Sequence, residues 1–182
     1  MIRSKKASFT HIWAGALVVA LMLLGGCGEQ RFEPLEAPGF TLPLLEGSGE
    51  VSLSDTRGQV VYLTFWASWC EPCRHELPYL AQLYQRHKDD GFQVLAINVE
   101  EDLALAREFA AQYDLPYALL RDADRSIAKS YRVPGYPAHY LIDRDGRIRY
   151  SGLGFDLNDV RAVSTEVAAL VAEPVINPAA TE

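Results

Sequence analysis

The chain has 182 residues, 49% of them hydrophobic, and a formal net charge of −7. That is long enough for one domain with its own core and too apolar for a disordered or low-complexity chain. The acidic balance argues against nucleic acid as a partner, because binding phosphate needs a basic face.

Arg3, Lys5 and Lys6 precede Ile12–Leu24, an uncharged run of 13 residues, and no acid occurs before Glu29. A spanning helix needs about 20 apolar residues, whereas the core of a signal peptide has roughly 7–15. Residues 1–26 therefore read as a targeting segment. Leu24-Gly25-Gly26-Cys27 resembles a bacterial lipobox. That resemblance implies cleavage before Cys27 and a lipid on its sulfur. The plainer alternative is an ordinary signal peptide, or an uncleaved anchor, with a chance cysteine. Lipidation would account for an odd cysteine in an exported chain. Without residues 1–26 the chain keeps 14 basic against 24 acidic groups, a net charge of −10. The expected location is outside the cytoplasm, lipid-anchored to the cell membrane and facing the periplasm or cell exterior.

Residues 27–37 are polar and read as a tether, and 38–172 as the folded domain. Phe40–Leu44 and Glu50–Leu53 are short strand-like pieces around the turn Gly47-Ser48-Gly49. Gln59–Trp66 is β-branched and aromatic, as a central strand buried on both faces would be. Glu71–Lys88 carries Leu77, Leu80, Leu83 and Tyr84 at helical spacing. Pro72 falls in its first turn at little cost, and Pro78 inside it predicts a kink. A buried strand at Phe92–Val99, a helix at Asp102–Tyr113, a strand at Tyr117–Leu120 and a short helix at Ser126–Tyr131 follow. A strand at Ala138–Ile142 turns at Asp143–Gly146 into Arg147–Gly152, and Leu157–Val171 is a closing amphipathic helix. Residues 173–182, with Pro174 and Pro178, read as a loose tail. Strand–helix–strand units imply an α/β fold: a central mixed sheet flanked by helices, with an N-terminal β-hairpin extension.

Cys70 and Cys73 form a CxxC where a central strand runs into a helix. That placement suits a thioredoxin-like fold. A zinc site needs four ligands, and there is neither a second CxxC nor a paired histidine spacing. A static disulfide closing so small a loop stabilises little. A working thiol pair explains more. Cys70 would meet the unpaired N–H groups and positive dipole end of the helix, which favour thiolate. Cys73, one turn on, would lie deeper. An exposed attacker and a shielded resolver is the arrangement thiol–disulfide exchange requires. No cofactor is expected beyond the Cys70–Cys73 disulfide.

Trp69-Cys70-Glu71-Pro72-Cys73, with Glu76 and Pro78 behind it, resembles the TlpA/ResA-type branch of the thioredoxin superfamily. The resemblance runs from about Ala37 to Ala172. Gly135-Tyr136-Pro137 followed by Ala138–Asp143 matches the loop in which that family has a cis proline facing the CxxC. X-Pro is also where cis bonds occur. The resemblance implies that Tyr136 offers its backbone to a substrate peptide, with Trp69 and Pro137 beside it. It further implies that Glu76 is buried and relays a proton to the resolving thiol, against the alternative of a solvent-facing glutamate. Thr64 stands six before Cys70, where thioredoxins proper carry a buried acid.

Glu71 and Pro72 lie between the cysteines and tune them. A negative charge beside a thiolate disfavours ionisation, which points to a reducing couple. A reductant outside the cell needs an electron donor, for which a membrane thiol transporter is the expectation. Substrates would be protein disulfides, including apocytochrome c thiols in cytochrome c maturation. Trp66 and Trp69 read as packing around the pair more readily than as a binding platform, and His75 as a helix-surface residue. His139 stands two after Pro137, either as a packing histidine or behind the thiols where it shifts Cys73 or Glu76. Two rivals remain. A peroxiredoxin-like peroxidase would carry PxxxTxxC, but Ala67 occupies the threonine position. A non-enzymatic peptide-binding module would not need the CxxC.

Overall fold

The computed structural model describes residues 35–174. The targeting segment, Cys27 and the end of the tail lie outside the described residues. Among the described residues, no helix is long and apolar enough to cross a membrane.

The sheet is built around β4, Val60–Trp66, whose seven residues are all buried. A run of β-branched and aromatic residues with no polar alternation can only sit between layers on both faces. β4 pairs in parallel with β5, Phe92–Asn98, and antiparallel with β7, Ala138–Ile142. β6, Ala118–Arg121, extends the parallel side. β8, Arg147–Leu153, extends the antiparallel side. Asp143 closes the β7–β8 turn by accepting from the Asp145 and Arg147 amides at 3.0 and 2.9 Å. Gly146 there adopts φ 81°, a left-handed conformation that glycine enters without penalty.

Both edges of the sheet are covered. β2, Thr41–Pro43, and β3, Glu50–Ser52, form the expected hairpin. Leu45 N–H donates to Leu119 O at 2.8 Å and Leu44 bridges Leu120, so the hairpin closes the β6 edge. At the other edge, Leu35–Glu36 forms β1 and pairs with Ile148 and Arg147 of β8. The sequence reading places these two residues in the tether. They are a strand because β8 offers free backbone groups, not because of any pattern of their own.

Among the described residues, four α-helices flank the sheet: α1, Glu71–His87; α2, Ala104–Ala111; α3, Ser126–Ser130; and α4, Leu157–Ala172. α1 buries Leu77, Leu80 and Leu83, α2 buries Phe109, and α4 buries Val163, Val167 and Leu170. α1 continues through Pro78 without a break. Glu173, expected in the loose tail, pairs with Arg149 at 3.2 Å.

Candidate redox site

Cys70 and Cys73 are joined by a disulfide where β4 hands over to α1. Cys70 is the N-cap of α1, with extended backbone (φ −86°, ψ 104°), and its Sγ accepts from the Cys73 amide at 3.3 Å. That amide is one of the donors a helix start leaves unpaired. Pro72, also in the first turn, has no N–H to add.

The depth of the two sulfurs departs from expectation in degree. Cys73 is 0% exposed, as a resolving residue should be, but Cys70 is only 5% exposed. The expected exposed attacker is nearly covered in the disulfide form, where its sulfur is tied to Cys73. Exposure belongs to its neighbours. Trp69 is 64% exposed and meets Tyr136 edge-on at 5.9 Å, which joins the CxxC loop to the loop before β7. Trp66, by contrast, is a core residue against Phe109. The Tyr136–Pro137 peptide bond is cis. Pro137 is buried, and its carbonyl accepts from Gly154 N–H at 2.8 Å. Between α1 and α2 a groove of about 290 Å³ opens beside Trp69, floored by Phe109, with the Arg74 guanidinium 5.2 Å from the Phe109 ring centre.

Glu71 and His75 lie on the outer face of α1, 3.5 Å apart and largely exposed. His75 is thus a surface residue. Glu76 points the other way and is 0% exposed. It lies one turn beyond Cys73 on the same face. Tyr62 OH donates to its Oε1 at 2.9 Å and Thr64 Oγ1 to its Oε2 at 2.7 Å. Burial, and then the Glu76 charge, push the Tyr62 hydroxyl well above its usual range, so it stays a donor. Tyr117 is pushed up by the same two causes. Thr64, which stands where a thioredoxin carries an acid, therefore serves the acid supplied by α1.

His139 is also 0% exposed, with Nδ1 3.4 Å from Glu76 Oε1. Neither of its ring nitrogens has a hydrogen-bond partner. The ring lies between Tyr62 and Tyr150, with centroids at 5.5 and 5.9 Å and planes at 25° and 10°.

A second buried carboxylate was not foreseen. Glu100, 7% exposed, accepts from Ser68 N and Ser68 Oγ, both at 2.7 Å, and from Asn98 Nδ2 at 2.9 Å. It fastens the loop that presents Cys70. Only the β4–β5 register, which sets Asn98 opposite Trp66, brings it there. Among the described residues, no group of three or more His, Cys, Asp or Glu gathers as a metal site.

Residues 35–151 match the AhpC/TSA family. A protein of Bacillus subtilis named thiol-disulfide oxidoreductase ResA is 33% identical over 152 residues, 79% of this chain and 84% of its own. The protein of that name from Bacillus thuringiensis is 34% identical over 143 residues, 72% of this chain and 82% of its own. Among solved structures, a Chlorobium tepidum protein described as a thiol:disulfide interchange protein DsbE superimposes with a TM-score of 0.73. It is 37% identical and covers 76% of this chain and 97% of its own.

Proposed function

Because the chain belongs to the AhpC/TSA thioredoxin-like family and is a thiol-disulfide oxidoreductase of the ResA/DsbE type, we propose that it is a membrane-anchored reductant of protein disulfides outside the cytoplasm. Cys70 thiolate attacks a substrate disulfide, forms a mixed disulfide and releases one substrate thiolate. Cys73 then gives its proton to Glu76, and its thiolate attacks Cys70 Sγ. The mixed disulfide breaks, the second substrate thiolate leaves, and two electrons have passed from the dithiol to the substrate. The Cys70–Cys73 disulfide is the end point.

The observation that carries this reading is the placement of the disulfide at the start of α1 with a buried carboxylate one turn behind it. Two local features support a reducing couple. Pro72 withholds one backbone donor from the Cys70 thiolate, and Glu71 puts a negative charge next to it. His75 offsets part of the Glu71 charge when protonated, and solvent screens both. The missing donor at Pro72 is therefore the steadier of the two effects. Trp69 and Tyr136 form the rim on which a substrate peptide is received, with the buried Pro137 setting the path of the chain behind Tyr136. The lipid on Cys27 would hold the protein beside a membrane thiol transporter that re-reduces it, and apocytochrome c is one substrate consistent with this setting.

Peroxide chemistry is not the reading proposed, despite the family's breadth. Ala67 supplies no hydroxyl three residues before Cys70, and the partner sulfur is already within bonding reach. The test is a Cys73→Ser variant expressed in cells. Cys70 should accumulate mixed disulfides, and mass spectrometry of the adducts names the substrates. An unreactive Cys70 would remove the assignment. A reduction potential near −120 mV, that of a strong oxidant, would reverse the direction of electron flow.

A further inference from the structure

His139 presents a buried imidazole whose two nitrogens lack partners. A neutral imidazole always carries one N–H, and leaving that donor buried and unmet is unfavourable. The surroundings are built to keep the ring in place all the same. Tyr62 and Tyr150 stack on its two faces. On β8, the residue paired with His139 is Gly152, and a Cβ there would land on His139 Nε2. The ring is therefore held on three sides, and Nδ1 lies 3.4 Å from Glu76 Oε1, at ion-pair distance without a formed hydrogen bond.

From this geometry we infer that His139 is a positioning residue for the redox reaction: it orients Glu76 and shares its proton, and so sets the pH at which Cys73 is activated. The inference rests on the reading of Glu76 as the acceptor of the Cys73 proton. In the disulfide form both Glu76 oxygens accept hydroxyl hydrogens, as a carboxylate does. When the Cys73 thiol gives up its proton, the buried pair takes it, held on Glu76 or on His139. Cys73 thiolate then attacks Cys70 Sγ. No charge is created elsewhere, since one proton moves from sulfur to the pair. A lone buried carboxylate has no neighbour over which to spread that proton. Tyr62 and Thr64 only donate, and their hydroxyls do not take a second proton in the working range.

The groups facing the pair are few. Tyr62 on β4 and Tyr117, just before β6, act on Glu76, Tyr150 on β8 stacks on His139, and Tyr79 and Tyr150 act on Tyr62, while Cys73 stands one turn before Glu76 on α1. Among the described residues, no lysine or arginine forms an ion pair with Glu76. Tyr62 is held neutral by burial and by the Glu76 charge. That leaves the carboxylate, the imidazole and the thiol to exchange the proton.

The experiment follows the reaction of the reduced full-length protein with dithio-bis-nitrobenzoate. The first coloured thiolate reports attack by Cys70, and the second reports attack by Cys73 on the mixed disulfide. The second phase is recorded against pH for wild type, Glu76→Gln and His139→Phe. Phenylalanine keeps a ring between the two tyrosines and removes both nitrogens. Glu76→Gln should slow the second phase by about 100-fold, the low end of acid–base catalysis. His139→Phe should slow the second phase by about tenfold at neutral pH and change its pH profile, while leaving the first phase unchanged. A His139→Phe profile superimposable on wild type, with Glu76→Gln slowed, would overturn the role of His139 alone. An unaffected Glu76→Gln would remove the proton role of both. Nitrogen NMR of His139 in the wild-type protein decides the matter should the phenylalanine variant not fold. Ring shifts that differ between the oxidised and reduced forms are expected, and shifts indifferent to both redox state and pH would overturn the proposal.

Discussion

Glu76 and Glu100 are both buried carboxylates close to the junction of β4 and α1, yet they are held in opposite ways. Glu100 receives a backbone amide, a side-chain amide and a serine hydroxyl. Two of these three donors cannot give up a proton, and the two Ser68 bonds fasten one loop to the end of β5. Glu76 receives two hydroxyls, with an imidazole 3.4 Å away and otherwise unpartnered. Depth alone therefore does not distinguish a structural acid from a reactive one. The chemistry of the donors does. A carboxylate met by amides is held in place by donors that keep their protons, whereas one met by hydroxyls and an imidazole sits where a proton can move.

The sharpest way to break this comparison is to change each acid to its amide. Glu76→Gln should lose about 100-fold in the step that resolves the mixed disulfide. Glu100→Gln should keep that step within a few-fold and instead lose about 1–3 kcal/mol of stability, because its new NH2 faces donors. Urea denaturation together with the two-phase thiol assay separates the two outcomes. A large kinetic loss in Glu100→Gln would mean that the loop anchor takes part in the chemistry. Tyr62→Phe removes one donor from Glu76 and should cost about 1 kcal/mol in urea denaturation. It should leave both phases of the thiol assay present, since Thr64 still holds the other oxygen.

A third carboxylate sharpens the contrast at the smallest scale. Asp124 is fully exposed, and its carboxyl is held below the usual range, chiefly by the Ser126 amide. Its native pKa lies below its unfolded value, so its contribution is complete at neutral pH and fades as pH falls through the native value. Asp124→Ala should be less stable than wild type at neutral pH, with the gap narrowing on acidification. Denaturation series at several pH values measure the gap, and a gap that widens on acidification contradicts the donor account.

What could be read in the sequence was what a single segment carries. β4, β5 and α1 announced themselves by runs of β-branched or helically spaced apolar residues, and their boundaries fall within one residue of those read. The CxxC, Glu76 and the cis Tyr136–Pro137 bond were found through their motif. What escaped was whatever depends on a second segment. Two residues, Leu35 and Glu36, are too few to show a period, and their pairing is decided by β8. Tyr62 and Thr64 lie in a strand buried on both faces, where no alternation tells which residue looks toward α1. Glu100 follows a strand whose register with β4 cannot be known beforehand. The near-complete cover over Cys70 is likewise a property of the assembled loops, not of the helix start that predicted exposure.

The close approach of the His139 ring to Gly152 has a consequence for how this protein tolerates change. A side chain at position 152 and the imidazole at 139 claim the same volume. Their substitutions should be strongly non-additive. Gly152→Ala alone overpacks the interior at about 1–3 kcal/mol, whereas the same alanine beside His139→Ser meets a vacated space. A double-mutant cycle would read that coupling directly, and any lineage that enlarges residue 152 must first surrender the histidine.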